Sequence, residues 1–460
     1  MTYNQNNLKI KNLYDILVCI LLVWCALQDF VLCVILRFTG ATLIVKLLFH
    51  SKDVILLVLF ITVLLKNKIP AKFITCCLIY FAVIIIQAFV GMSNGDLEFK
   101  ALLSSIRGLI LLPTLTLIGY GIRNKEYFWI FIKKYYYFLV ILAIIGLIEF
   151  VADITVGTRT FWMDILKLDN YYISIKGGSA VLENGTPGNW YTDIGAGYRT
   201  QKRVISIWAA PLTAGFVLLM PCMYYTIEYF KRRKVFSLKT SKNQFKLYKG
   251  FIFTAVALIL TFTRQTLLLY IFFAFIIFVY YRRGTNREMV ILGAIVCVAL
   301  GGVLLWQKII DYMYNGSTQI HIWRLQQAIT QMTFWGRGIG SFGKGWSNAV
   351  VTESQYLTMM GQLGVITIIP YMVMLVSPII YCLGAANKMD SNNKAIIYSI
   401  CFCGIIYVVA GLVSETVSAF TSIAQYYVLI GFIWGYCKNN ERYKTSDENQ
   451  NNSNVFAPVS

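Results

Sequence analysis

Residues 13–36 read LYDILVCILLVWCALQDFVLCVIL, and almost every residue of this stretch is apolar. About twenty apolar residues in an α-helix cover the roughly 30 Å hydrocarbon thickness of a bilayer. Further apolar runs follow the stretch, and no small-residue cleavage motif of the A-x-A kind stands after it. We therefore expect a retained membrane-spanning helix rather than a removed signal peptide.

Apolar runs of this kind recur along the chain. Of the 460 residues, 58% are hydrophobic and 13% are charged, whereas a soluble domain carries about 25% charged residues. The sequence predicts an all-α polytopic membrane protein with about twelve transmembrane helices in a single domain over residues 1–438. The predicted spans are 13–36, 54–65, 71–90, 102–122, 135–151, 204–225, 250–263, 265–281, 289–306, 354–383, 395–413 and 424–436. Because 54–65 and 250–263 are short for a full crossing, we expect them to extend further or to lie tilted among their neighbours.

The formal net charge of +20 indicates orientation in the membrane rather than nucleic-acid binding. Most of the 41 Lys and Arg residues stand in short segments between apolar runs, and such segments remain on the cytoplasmic side. If the N-terminus is cytoplasmic, every second connection is a basic one, as in the run Lys231–Lys234. This pattern predicts cytoplasmic termini, extracytoplasmic loops over 152–203 and 307–353, and a disordered cytoplasmic tail over 439–460.

The cysteines and histidines do not indicate a disulfide framework or a metal site. All eleven cysteines fall within or at the end of apolar stretches, as small apolar helix residues do. The two histidines, His50 and His321, are far apart and lack the spacing of metal ligands. We expect neither a metal nor another cofactor.

Three arginines are predicted at the extracytoplasmic face: Arg203, Arg264 and Arg324. Arg264 lies in the segment Thr261–Thr266, between two spans that leave hardly any loop. One interpretation is that its guanidinium extends to lipid headgroups. The other is that the arginines bind an anionic substrate, because a guanidinium fork matches phosphate oxygens.

Acidic residues provide further candidate sites. Glu353 precedes a long predicted span, so its carboxylate either stabilises a helix N-terminus or acts as a general base that orients a hydroxyl group. Glu149 and Asp29 lie inside predicted spans, where acidic side chains are costly enough to indicate a functional role. The sequence alone names no partner for either.

The glycine-rich segment 336–345 reads GRGIGSFGKG and superficially resembles two nucleotide-binding motifs. Neither motif fits, because no strand is predicted before the segment and Gly345 stands where an ATP-binding loop needs Ser or Thr. We expect a glycine turn that brings backbone amides close to a ligand or to a helix end.

Four segments, taken in order, resemble the O-antigen ligase and O-antigen polymerase superfamily of bacterial surface-polysaccharide assembly. The resemblance covers residues 203 to about 369, and the N-terminal half matches only as a hydrophobic pattern. The four segments are Arg203-Val204-Ile205-Ser206 with Ala210–Gly215; Thr261–Arg264; Arg324 followed by Trp335–Phe342; and Glu353–Leu357 with Gln362–Ile366.

The resemblance implies metal-independent glycosyl transfer from a polyprenyl-diphosphate donor at the outer face of the bacterial inner membrane. Glu353 and Arg264 would be catalytic, and Arg203, Arg264, Arg324, Arg337 and Tyr356 would bind the diphosphate and the glycan. The implied partners are an undecaprenyl-diphosphate-linked oligosaccharide, the lipid bilayer and a chain-length regulator. The product would be O-antigen, capsule or another exopolysaccharide.

One departure from the family pattern bears on the reaction. Ligases of this superfamily carry a His-Asn pair where this chain has Glu353-Ser354, which favours polymerisation of repeat units over ligation to a lipid or protein acceptor. Ligation remains an alternative. A transporter of lipid-linked oligosaccharides and a non-catalytic scaffold or channel are alternatives from other functional classes.

Overall fold

Over the residues that it describes, the computed structural model of the chain is mainly helical, with one short strand pair and an isolated β-bridge between Phe342 and Val350. It describes residues 12–66, 69–93, 99–156, 160–176, 187, 190–192, 201–233, 242–281, 316–343, 349–352, 354–386, 391–412, 414 and 420–455. The α-helices are α1 Leu13–Thr39, α2 Thr42–Lys66, α3 Ala71–Ser93, α4 Phe99–Tyr120, α5 Lys125–Thr155, α6 Leu168–Tyr171, α7 Pro211–Arg233, α8 Lys242–Leu260, α9 Arg264–Tyr281, α10 Gly316–Gln331, α11 Gln355–Leu363, α12 Ile368–Ala386, α13 Ser391–Ala410 and α14 Phe420–Val455.

Short elements connect these helices. Two π-helices, Thr160–Ile165 and Tyr172–Lys176, flank α6, and 3₁₀-helices lie at Ser206–Trp208 and Val365–Thr367. Strands β1 (Tyr191–Thr192) and β2 (Gln201–Lys202) pair antiparallel, with Tyr191 opposite Lys202.

The helical segments confirm an all-α membrane protein, with the bilayer as its environment. Within the described ranges, six segments are long and apolar enough to cross a membrane: Leu13–Thr39, Thr42–Leu65, Ala71–Ser93, Lys125–Thr155, Val365–Ala386 and Asn393–Ala410. Shorter apolar helices lie at Ser105–Tyr120, Leu247–Leu260 and Gln265–Tyr281. The predicted span 289–306 lies outside the described residues.

The short predicted span 54–65 is the second half of a full-length helix. Helix α2 begins at Thr42, and the polar residues His50, Lys52 and Asp53 interrupt its apolar pattern. Lys52 is only 2% exposed, because its Nζ donates to Gln28 Oε1 at 2.8 Å and lies 3.9 Å from the ring centre of Phe49. The helix therefore continues past a buried cation, at a position where hydropathy alone predicts the end of a membrane span.

Two predicted spans are wrong as single helices. Residues 204–210 are not α-helical, because Ser206 and Ala209 adopt positive φ angles and α7 begins only at Pro211. The predicted helix 354–383 is interrupted at Gly364, whose φ is +97°. At this position the backbone of Phe334–Gly336 packs so closely that a side chain on Gly364 would overlap it.

Helices α7 and α14 form the centre of the bundle. Nearly every described side chain from Phe420 to Cys437 is buried, and α7 is buried over most of its length. Helix α14 continues to Val455, so its backbone is helical over most of the tail for which the composition predicts disorder.

Glycines allow α4 and α14 to cross closely. A methyl group on Gly119 would overlap the carbonyl oxygen of Val428, and one on Gly431 would overlap the carbonyl oxygen of Thr116. Small residues allow membrane helices to approach in this way. The two backbones are therefore in direct contact at the crossing.

Enlarging either glycine should destabilise the bundle. We expect Gly119→Ala and Gly431→Ala each to lower the free energy of unfolding by about 1–3 kcal/mol, as overpacking does. Gly108→Ala is the matched control on α4, because nothing lies within 4 Å of the added carbon. Thermal unfolding of the three purified variants measures the effect, and equal melting temperatures would contradict this account of the crossing.

Candidate functional site

Arg203 is attached to the turn that precedes Arg264. Its Nε donates to the carbonyl oxygen of Thr261 at 2.7 Å, and the next amide, Val204 N–H, donates to Leu260 O at 2.8 Å. Helix α8 ends at Leu260 and α9 begins at Arg264, which confirms that hardly any loop separates the two helices, and both helices pack on α7. The structure describes the backbone of Arg264 but not its side chain. Two arginines that are distant in sequence thus belong to neighbouring backbone segments.

A network of hydroxyl groups fixes this turn. The hydroxyl groups of Thr261 and Thr263 are 2.8 Å apart, and the Thr263 hydroxyl also contacts that of Thr266. All three threonines are at most 2% exposed. Gly215 of α7 lies against Thr263, with no room for a methyl group between them. The first residue of α9, Arg264, is therefore held at a defined position beside α7.

A buried charge cluster lies next to Arg203. Lys202 Nζ is 2.7 Å from Asp153 Oδ2 and 3.4 Å from Glu149 Oε1, and the Trp190 ring centre is 4.5 Å from the same nitrogen. Glu149 and Asp153 are one turn apart on α5, and the side chains of all three charged residues are at most 6% exposed. Lys202 is the partner of Glu149 that the sequence did not reveal. The cluster joins β2, and with it Arg203, to the end of α5.

The other acid predicted inside a span, Asp29, also has a partner. The Tyr171 hydroxyl donates to Asp29 Oδ1 at 2.9 Å. Burial, together with the nearby Asp29 charge, raises the pKa of Tyr171 above its usual range. Trp162 Nε1 donates to Ser206 O at 3.1 Å. These bonds attach residues 160–176 both to α1 and to the segment that follows Arg203.

The start of α11 is anchored to the end of α13. Glu353 lies outside the described residues, but the next residue, Ser354, is the N-cap of α11. Its hydroxyl donates to Gly411 O at 3.2 Å, and Gln355 N–H donates to the same oxygen at 3.0 Å. Tyr356 is 4% exposed, and its hydroxyl donates to Val408 O at 2.7 Å.

Helix α13 connects the start of α11 to α7, which holds the turn before Arg264. Tyr407 of α13 donates its hydroxyl to Phe216 O of α7 at 2.7 Å. Phe216 follows Gly215, which contacts Thr263. The segment of Glu353 is therefore held at the end of α13 and the segment of Arg264 against α7, and the bond from Tyr407 joins these two helices.

Arg324 lies one helical turn from an apolar cluster near the start of α11, whereas Arg337 lies near the end of α11. Arg324 is half-buried and precedes Ala328 by one helical turn on α10. Ala328 packs in a small apolar cluster with Phe342, Val350 and Leu357. Arg337 is exposed, and its Nη1 donates to Gln331 Oε1 at 2.8 Å.

The glycine-rich segment packs against helix ends, one of the two roles expected for it. Arg337 N–H and Gly338 N–H donate to Gly361 O and Gln362 O at 3.0 and 3.2 Å, near the end of α11. Ile339 N–H donates to Gln87 O of α3 at 3.0 Å. Positive φ angles at Gly336, Gly338, Gly340 and Gly343 allow this path.

Neither a scan of the chain against protein-family models nor a search of curated proteins finds a match. The functional assignment of this chain therefore depends on the chemistry of the site itself.

Proposed function

We propose that the protein polymerises undecaprenyl-diphosphate-linked oligosaccharide repeat units at the outer face of the bacterial inner membrane. The hydrogen bond between Arg203 Nε and Thr261 O carries the proposal, because it joins Arg203 to the turn that begins at Thr261 and ends at Arg264. Preorganised arginines at a membrane boundary suit a diphosphate leaving group. The product is O-antigen, capsule or another exopolysaccharide, and a chain-length regulator is a further partner.

The reaction is glycosyl transfer without a metal ion. A hydroxyl oxygen of the acceptor glycan forms a bond to the anomeric carbon of the donor, and the bond from that carbon to the diphosphate oxygen breaks. Undecaprenyl diphosphate leaves with the bonding electron pair. The hydroxyl proton passes to the Glu353 carboxylate and then to water.

The charge of the leaving diphosphate determines the roles of the arginines. Arg203, Arg264 and Arg324 stabilise the charge that develops on its oxygens, while the exposed Arg337 contacts the glycan. Tyr356, which is buried and bonded to Val408 O, holds the start of α11 instead of contacting the glycan. The fixed turn supports this role, because a preorganised cation needs little rearrangement as the transition state forms. Mass spectrometry of cells that lack the protein tests the proposal. A single unpolymerised repeat unit on lipid should accumulate, whereas a normal polymer would contradict it.

The proposed orientation has twelve spans, cytoplasmic termini, and extracytoplasmic loops over 152–203 and 307–353. We expect an alkaline phosphatase reporter fused after Asn315 to be active and one fused after Gln244 to be inactive, because that enzyme matures only outside the cytoplasm. A green fluorescent protein at each position should give the opposite result. Activity of the reporter after Gln244 would reverse the orientation and move Arg203 and Arg264 to the cytoplasmic side.

A further inference from the structure

A large cavity lies between α2, α3 and α4, on elements to which the proposed reaction assigns no role. Its volume is about 1110 Å³, above the roughly 300–1,000 Å³ of sites for small molecules. Most of its wall is hydrocarbon from Leu, Ile and Phe side chains. A cavity of this size and chemistry suits a long hydrocarbon chain.

The cavity opens towards the bilayer. Leu57 of α2, Ile85 of α3 and Leu103 of α4 all line it, and they are 59%, 58% and 51% exposed. Helices α2 and α3 are candidate membrane spans, so exposed apolar side chains on them meet lipid rather than water. The occupant therefore enters from the hydrocarbon region.

Charged side chains line one part of this otherwise apolar wall. Asp53 of α2 holds Arg107 of α4, with Asp53 Oδ1 3.1 Å from Arg107 Nε, and its other oxygen lies 3.3 Å from His50 Nδ1. Lys46 also lines the cavity. Lys46 and Arg107 carry two positive charges against the one negative charge of Asp53. This part of the cavity is complementary to an anionic headgroup.

The charged part of the cavity lies near the start of α2 and of α4. Helix α2 begins at Thr42 and α4 at Phe99, so His50 and Arg107 each lie about 12 Å along their helices at 1.5 Å per residue. Leu56 and Phe60 extend the apolar wall further along α2. A phosphate near one membrane surface with a chain directed towards the bilayer centre fits this order.

The cavity adjoins the proposed reaction site through one segment. Ile175 lines the cavity and follows Tyr171, which is bonded to Asp29 of α1. Trp162, from the same stretch of residues 160–176, is bonded to Ser206, three residues after Arg203. Residues 160–176 therefore join the cavity to the segment that follows Arg203.

We propose that this cavity binds a polyprenyl lipid with a phosphate or diphosphate headgroup, with the headgroup at Lys46 and Arg107 and the isoprenoid chain along α2–α4. The identity of this lipid rests on the proposed function, in which undecaprenyl diphosphate leaves the arginines once its glycan has been transferred. The cavity then holds the carrier beside the site of transfer.

Photocrosslinking of the full-length protein tests the cavity. The probe is undecaprenyl phosphate with a diazirine in its chain, used in phosphatidylethanolamine vesicles. We expect labelled peptides from α2–α4 in the wild type, and about tenfold less labelling in Ile85→Trp, as for a loss of about 1.4 kcal/mol in affinity. Ile86→Trp is the matched control, because Ile86 is also 58% exposed but does not line the cavity.

Two further comparisons separate steric from electrostatic effects. Leu57→Trp and its neighbour Val58→Trp repeat the steric test on α2, because Leu57 lines the cavity and Val58 does not. Arg107→Gln should weaken capture of the phosphate lipid, whereas Arg37→Gln, at an exposed arginine outside the cavity, should not. Unlabelled undecaprenyl diphosphate should compete with the probe, and phosphatidylglycerol at equal concentration should not.

The outcomes test the cavity proposal and the proposed function separately. Equal competition by phosphatidylglycerol, or undiminished labelling in both cavity-filling variants, would overturn the cavity proposal even if polymer forms normally. Selective capture by a wild-type protein that makes no polymer would support the cavity proposal and overturn the proposed function.

Discussion

Arg203→Ala and Arg264→Ala should each lower the rate of glycan elongation by about a hundredfold or more, as the removal of one oxyanion-hole donor does in a serine protease. The leaving diphosphate has no other neutralising partner in the proposed reaction than the arginines. The bond from Arg203 to Thr261 O also couples the two positions, so the double variant should lose less than the product of the single effects.

Conservative variants separate charge from geometry. Arg203→Lys retains the charge but lacks both the Nε donor and the planar fork, so it should recover only part of the activity. Arg37→Ala is the control at an exposed arginine whose Nε donates to Ile165 O. Chain length on a glycan gel and initial rates in vesicles measure the effect. Normal polymer from both alanine variants, at normal protein levels, would exclude the arginines from the reaction.

Lys202→Met should destabilise the protein by about 3–5 kcal/mol, because it leaves the buried acidic pair of Glu149 and Asp153 without its cation. The side chains of Lys202 and Asp153 are both 3% exposed, so water cannot replace the lost partner. The melting temperature of the purified protein should fall accordingly. Elongation should fall with it, because β2 would no longer hold Arg203 to α5.

Removal of all three charged groups tests whether the loss of the cation causes this destabilisation. The triple variant Glu149→Gln, Asp153→Asn, Lys202→Met carries no buried charge and should recover most of the lost stability, as apolar replacements of buried ion pairs do. Lys134→Met, at an exposed position of α5, should change stability by about 0.5 kcal/mol or less. If Lys202→Met and Lys134→Met have the same melting temperature, the cluster contributes no stability.

The membrane class and most helix positions follow from local sequence alone. An apolar run is sufficient to place α1, α3 and α9, because the hydrocarbon region admits few alternatives to a helix. Hydropathy alone did not predict that α2 continues through Lys52, because this lysine is buried and its Nζ donates to Gln28 Oε1. It also failed at Gly364, where a neighbouring backbone rather than the local sequence ends the helix.

Part of the site was predictable as well. The segment Thr261–Thr266 between two apolar runs indicated a very short connection, and the structure has one. Glu149 stood out as an acid within a span, and Asp153 one turn later could have been paired with it. The partner of both, Lys202, comes from a distant loop, so no local pattern identifies it. The bond between Arg203 and Thr261 O is equally long-range.

Reconstitution tests the central claim most directly. The purified protein is placed in vesicles that contain undecaprenyl-diphosphate-linked repeat units and neither nucleotide nor divalent metal. We predict a ladder of longer glycans on the lipid carrier together with release of undecaprenyl diphosphate, both lost in Arg264→Ala. Movement of the lipid across the bilayer without elongation, or transfer only to an added lipid A-core acceptor, would contradict the polymerase assignment and indicate a transporter or a ligase.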